Sequence, residues 1–243
     1  IGNLTSRSDT GSYSYAGTSY ANPHAPTTVA GVTYGYDNNG NLTTQGSKSY
    51  TWDYQNRLTR AGLGTATSTY GYDHTIARVF KATGSATTTY VGRYYDTQGA
   101  SSTINKHIFT PSGELVATIT NSGSASSTRQ YIHPDHLGGT NAKTNTDAKT
   151  IETVDYYPYG TERLTTTYGV TAESRRHIGE IRDSETNLDY YNARYYEAGR
   201  GQFLSQDPVY LEIGESWKAN GILRNPQALN SYAYGFGNPI INK

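Results

Sequence analysis

The strongest constraint on this chain is a recurring dipeptide, an aromatic residue followed by Asp, that precedes a turn and a second short apolar run. Tyr36-Asp37-Asn38-Asn39-Gly40-Asn41-Leu42 aligns with Trp52-Asp53-Tyr54-Gln55-Asn56-Arg57-Leu58. Tyr72-Asp73-His74-Thr75-Ile76-Ala77-Arg78-Val79 repeats the pair and ends in Arg-Val, and a weaker copy starts at Tyr95-Asp96. The aromatic positions 36, 52, 72 and 95 lie 16, 20 and 23 residues apart. A strict solenoid keeps a fixed period, so this spacing predicts a winding strip of hairpins with loops of unequal length. Within one unit the aromatic ends a strand, Asp bonds the backbone two residues on, and Asn or Gly accepts positive φ before the chain returns. A lone hairpin leaves its apolar face in water, so neighbouring units must stack.

Composition supports the same class. The 243 residues include 24 Tyr and 26 Gly, only 34% are hydrophobic, and 16% are charged. Tyr and Thr favour half-buried pleated surfaces, which predicts an all-β fold. Strand-like runs at 87–91, 104–109, 115–119 and 151–157 are punctuated by Gly, Ser, Asn or Asp, and long helical periodicity is absent. A short helix is expected near Asn225 to Tyr234, with Pro226 in its first turn. Residues 1–33 read as a flexible or weakly ordered Ser/Thr/Gly-rich lead-in, and 62–69 and 121–128 as loop tips. Residues 34–128 read as the hairpin array and 129–243 as a separate block.

Several functions are excluded. Without Cys there is no disulfide, Cys-ligated zinc, iron–sulfur cluster or thiol catalysis. The 20 basic and 20 acidic residues balance, which gives nucleic acid no electrostatic footing. No stretch approaches the roughly 18 apolar residues of a membrane helix. The absence of Met, with Ile at position 1, marks the chain as an expected piece of a longer product.

The ordered motifs carry a family likeness. The aromatic-Asp units resemble the YD repeats of RHS-repeat proteins and of the teneurin and toxin-complex C-component shells. They are followed by Tyr131-Ile132-His133-Pro134-Asp135-His136-Leu137-Gly138-Gly139-Thr140, then Asp155-Tyr156-Tyr157-Pro158-Tyr159-Gly160. Asn187-Leu188-Asp189-Tyr190-Tyr191-Asn192-Ala193-Arg194-Tyr195-Tyr196 leads to Gly201-Gln202-Phe203-Leu204-Ser205-Gln206-Asp207-Pro208, and Leu229-Asn230-Ser231-Tyr232-Ala233-Tyr234 precedes Asn238-Pro239. From about residue 34 onward this order resembles the RHS-repeat-associated core domain. The chain departs from the family at Tyr196-Glu197-Ala198, where Tyr-Asp-Pro is usual, at Gln202 and Gly139, and in the longer stretch 209–228. It ends near where a closing Asp-Pro-x-Gly would begin.

The resemblance implies a curved antiparallel sheet of stacked hairpins, part of a shell, with a C-terminal core-domain cap containing little helix. It also implies a partner, a C-terminal toxin or effector domain of the same polypeptide, together with delivery or secretion machinery and a secreted or cell-surface location. In toxin-complex relatives the core is an intramolecular aspartyl protease, and the matching positions here are Arg194 and Asp207. Two facing carboxylates share one proton, so one acts as acid while the other activates water, and an Arg biases the pair. Asp207 is the last Asp of the chain, so its partner carboxylate is missing from this piece. A structural ion pair or turn cap is the competing role, and a cell-surface adhesion or glycan-binding module the competing function.

No cofactor or metal is expected. His133, Asp135 and His136 cannot all face one side of a strand, and a third ligand is not indicated. Asp37 to Asn41 fails as a calcium loop because the sixth place is Leu42 and the twelfth Lys48. The Tyr pairs 94–95, 156–157, 190–191 and 195–196 should each place one ring inward and one outward, as cross-strand packing does.

Overall fold

The computed structural model describes residues 2–16, 22–64, 66–99, 102–123, 127–169, 173–215, 220 and 222–242. The chain begins with β1 (Ser6–Arg7), β2 (Gly11–Tyr15) and β3 (Pro26–Val29). It continues through β4 (Val32–Tyr36), β5 (Leu42–Gln45), β6 (Lys48–Trp52), β7 (Leu58–Leu63), β8 (Ala66–Tyr72) and β9 (Arg78–Thr83). Next come β10 (Ala86–Val91), β11 (Tyr95–Gln98), β12 (Thr103–Phe109) and β13 (Leu115–Asn121). The wall closes with β14 (Ser127–Pro134), β15 (Thr140–Thr144), β16 (Thr150–Tyr156) and β17 (Glu162–Thr167). Each strand pairs antiparallel with the next, giving one 17-stranded meander. Helical structure is scarce, and the segment expected to be a short helix forms a single 3-10 turn, Pro226–Leu229, capped by Asn225.

One hairpin geometry recurs along this wall. The facing pairs Tyr36 with Leu42, Trp52 with Leu58, and Tyr72 with Arg78 each follow a one-residue register shift. The same arrangement joins Phe109 with Leu115, Pro134 with Thr140, Thr144 with Thr150, and Tyr156 with Glu162. The first loop residue is the fixed point. Asp37 Oδ1 accepts from the Asn39 and Asn41 amides at 2.9 and 2.8 Å, and Asp53, Asp73, Asp135 and Asn145 do the same for residues two and four places on. The fourth loop residue takes positive φ, whether it is Gly40, Asn56, Ile76, Gly113, Gly138, Ala148 or Gly160. The carboxylate cap therefore holds even a β-branched Ile in a conformation that costs it energy.

Two expectations are corrected here. Tyr95-Asp96 is not a turn unit: the chain reverses just before it, at Gly92, and the dipeptide falls inside β11 with Asp96 buried. Residues 6–29, read from composition as part of a loose lead-in, contribute three strands, with Tyr13 and Val29 buried. Residues 17–21 of that lead-in and 124–126 of the expected loop tip lie outside the described residues.

Residues 173–207 form a compact plug against one face of the wall. Its small sheet comprises β18 (Ile181–Asp183), β19 (Leu188–Tyr191), β20 (Arg194–Glu197) and β21 (Gln202–Phe203). Tyr13, Tyr34, Leu42, Tyr50, Leu58, Ala61 and Tyr70 of the wall enclose Leu188, Tyr190, Tyr195 and Leu204 of the plug. On the far side of β20, Tyr196 packs with Ala198, Phe203 and Tyr234. Strand alternation therefore holds at Tyr195 and Tyr196, but both rings are buried because β20 is covered on both faces. β2, β8, β13 and β16 all reach this one short segment, so the sheet must curl around it.

Candidate functional site

Arg194 and Asp207 meet where three sequence blocks converge. Arg194 opens β20 after a tight turn in which Asn192 has φ +56°, and Asp207 caps the 3-10 turn Pro208–Glu212. Arg194 Nη2 lies 2.7 Å from Asp207 Oδ2. The Val209 amide donates to Asp207 Oδ1 at 3.1 Å, so each carboxylate oxygen has its own partner. The Ser231 carbonyl closes the triangle, accepting from Arg194 Nη1 and from the Asp207 amide, both at 3.1 Å. Below them the Arg194 guanidinium stacks on Phe203, 3.6 Å from the ring centroid.

The electrostatics are asymmetric. Burial lowers the pKa of Arg194 to about 10, with Asp207 only partly compensating. The Asp207 side chain keeps 33% of its surface exposed, against 14% for Arg194. A partly exposed carboxylate held by a sunken cation keeps an open side that can take a hydrogen bond from an incoming group. Among the described residues no second carboxylate bonds to either member, and the contacts present are those of an ion pair and a turn cap.

The other sequence candidates separate. Asp135 is consumed as a turn cap, His133 bonds the Thr144 hydroxyl at 3.0 Å, and His136 reaches the Ile240 carbonyl at 3.4 Å. Asp37 likewise caps its own turn, with the Gly40 carbonyl accepting the Tyr232 hydroxyl at 2.6 Å. A Cβ at Gly40 would sit 2.6 Å from that hydroxyl, so glycine is required for close approach as well as for its φ of +79°.

Sequence reasoning missed the polar seam between plug and wall. Lys143 and Glu152 face each other across β15 and β16, both fully buried and 3.2 Å apart. Arg176 Nη1 lies 2.8 Å from Glu152 Oε1, an ion pair lacking hydrogen-bond alignment, and the Glu173 amide donates to Glu152 Oε2. A second chain runs from Asp96 through His107 and Thr118 to Glu173, with contacts of 2.6, 3.2 and 2.9 Å. At the other flank Asp183 takes Arg78 at 2.6 Å and Lys81 at 3.0 Å. Opposite charges at cross-strand positions 143 and 152 were the available signal. The plug residues that complete the seam have no such local mark.

The arrangement defines a class, a strip of capped hairpins curled around a buried plug derived from the same chain. The chain belongs to the teneurin YD-shell family, whose model matches residues 2–240, and its core carries the ordered blocks of the RHS-associated domain. It is 30% identical over 217 residues to the tRNA3(Ser)-specific nuclease WapA of Bacillus spizizenii, covering 85% of this chain and 9% of that protein. It is 29% identical over 104 residues to double-stranded DNA deaminase toxin A of Burkholderia cenocepacia, covering 41% of this chain and 7% of the relative. The crystal structure of TcdB2-TccC3 superposes with a TM-score of 0.68 at 19% identity, over 84% of this chain and 11% of that one. The chain thus spans about a tenth of the length of these proteins. Among the described residues no helix is long and apolar enough to cross a membrane.

Proposed function

We propose that this chain is the core-bearing segment of a shell that encloses and presents a C-terminal effector domain of the same polypeptide. The observation that carries the reading is the wall curled around a plug made of its own later sequence, a geometry that encloses rather than displays. The names of the relatives, a tRNA nuclease and a DNA deaminase toxin, favour a toxic cargo and delivery to other cells from a secreted or cell-surface position. The test is to append the downstream reading frame and compare protease resistance of that domain with and without residues 1–243. Equal digestion in both would refute enclosure.

The partly exposed carboxylate of Asp207, paired with Arg194, favours a second role, self-cleavage. A carboxylate from outside the described residues would face Asp207; one of the two would take a proton from water as it attacks the peptide carbonyl, and the other would protonate the leaving amide. The extended wild type should run as two fragments on a denaturing gel and Asp207→Asn as one. An intact wild type sinks the protease role while leaving enclosure untouched.

A further inference from the structure

Between the turn ends of β9–β13 and residues 175–181 of the plug lies a cavity of about 330 Å³, within the range that small-ligand sites occupy. Arg78, Arg93, Phe109, Arg175, Glu180 and Tyr190 contribute to its lining. Arg78 is already engaged, through Nη1 with Asp183 at 2.6 Å and through Nη2 with the Tyr90 hydroxyl at 3.1 Å. Arg93 and Arg175 are not: among the described residues neither has a carboxylate within ion-pair distance. Instead the two guanidinium groups flank Phe109, 4.1 and 5.6 Å from its ring centroid.

Arg175 is the more telling of the two. It is only 6% exposed, its Nη2 donates to the Arg93 carbonyl at 2.8 Å, and its Nε is buried with no hydrogen-bond partner. Burial pulls its pKa below the ordinary arginine value, and the more distant Glu173, Asp96 and Glu180 offset this incompletely. A buried cation beside an open hollow without its own anion is a costly arrangement that a bound anion would relieve. Because Glu114 and Glu180 also line the hollow, its field suits a singly charged carboxylate better than a phosphate dianion.

We propose that this cavity is a carboxylate-binding site, in which Arg93 and Arg175 hold either an acidic side chain of a peptide or a small free organic acid. The site stands on its own geometry and does not depend on enclosure of an effector. Glu180 makes it pH-sensitive. Burial raises the pKa of Glu180 to about 7, opposed by Arg175 and reinforced by Asp189. Across the hollow it is faced by Arg78 on β9, Tyr90 on β10, Arg93 after β10, Glu114 before β13 and Tyr190 on β19. Below that pH the neutral acid can donate to a bound carboxylate, and above it the carboxylate repels one.

Calorimetric titration of the 243-residue chain with butyrate, and with an acetylated and amidated Gly-Glu-Gly peptide, tests the proposal at pH 6 and pH 8. Saturable binding should be at least about fivefold tighter at pH 6. Arg93 is exposed, so Arg93→Gln should fold normally and weaken binding by at least about fivefold. Glu180→Gln should bind at pH 8 as tightly as the wild type does at pH 6. Binding of the peptide alone assigns the ligand to a polypeptide, and binding of both shows that a free acid suffices. No saturable binding of either ligand at pH 6, or an unchanged affinity in Arg93→Gln, overturns the site.

Discussion

The two halves of the wall hold the plug by different physics. β4–β8 present Tyr34, Leu42, Tyr50, Leu58, Ala61 and Tyr70, which bury apolar area against Leu188, Tyr190 and Tyr195. β11–β16 instead engage it with Asp96, His107, Thr118, Lys143 and Glu152, all buried and in polar or ionic contact with Glu173, Arg176 or each other. Apolar contact is non-directional and tolerates small shifts. A buried charge is favourable only while its partner stays in place. The first half therefore provides adhesion, and the second fixes the position of the plug.

Breaking the polar half should cost most. Glu152→Ala removes the buried carboxylate facing Lys143 and one of the two acidic partners of Arg176, the other being Glu162 at 3.5 Å; denaturant unfolding should show a loss of about 3–5 kcal/mol, whereas the paired change Lys143→Met with Glu152→Leu should recover most of it. If the single change costs under about 1 kcal/mol, the seam does not hold the plug.

Acid should attack the same half next. His177 is buried beside Gly160, where a Cβ would lie 2.6 Å from its ring, and burial lowers its pKa from 6.5 to about 4. The unfolded chain then binds the extra proton, so the neutral ring's contribution is complete above pH 6.5 and is lost as pH falls toward 4. Relative to His177→Gln, the wild type should lose about 3 kcal/mol between pH 7 and pH 4. Glu180 works in the opposite sense: its raised pKa gives stability that is complete below 4.5 and fades as pH rises through about 7. The comparison between variants is therefore more informative than the bare melting curve.

The smallest effect belongs to the repeat turns. Asp53→Ala removes the acceptor for two amides and the 2.7 Å contact to Arg57 Nε, at a turn largely open to solvent. A loss of about 1 kcal/mol is expected, independent of any change at the plug. Coupling between Asp53→Ala and Glu152→Ala in a double-mutant cycle would show that the two halves are not separate.

The hairpin units were legible because their determinants are local. Asp37, Asp53 and Asp73 act on amides two and four residues away, so the motif contains its own explanation. Units led by Thr110, Asn145 and Tyr157 escaped notice because the backbone turn survives a change of its first residue. Asp96 misled for the converse reason, since a dipeptide does not say where the chain reverses. Arg194 and Asp207 are named from the resemblance, and the Ser231 carbonyl that accepts from both lies 24 residues beyond Asp207.

The sequence by itself determined the β class, the capped turns and the order of the core blocks, because each depends on contacts a few residues apart. Tertiary structure alone decided that β20 would be covered on both faces and that Lys143 and Glu152 could be buried. It also decided that Arg93 and Arg175 would flank one ring beside an open hollow. Those outcomes depend on where residues 173–207 return against the curled sheet, and that placement is set by long-range burial and charge pairing.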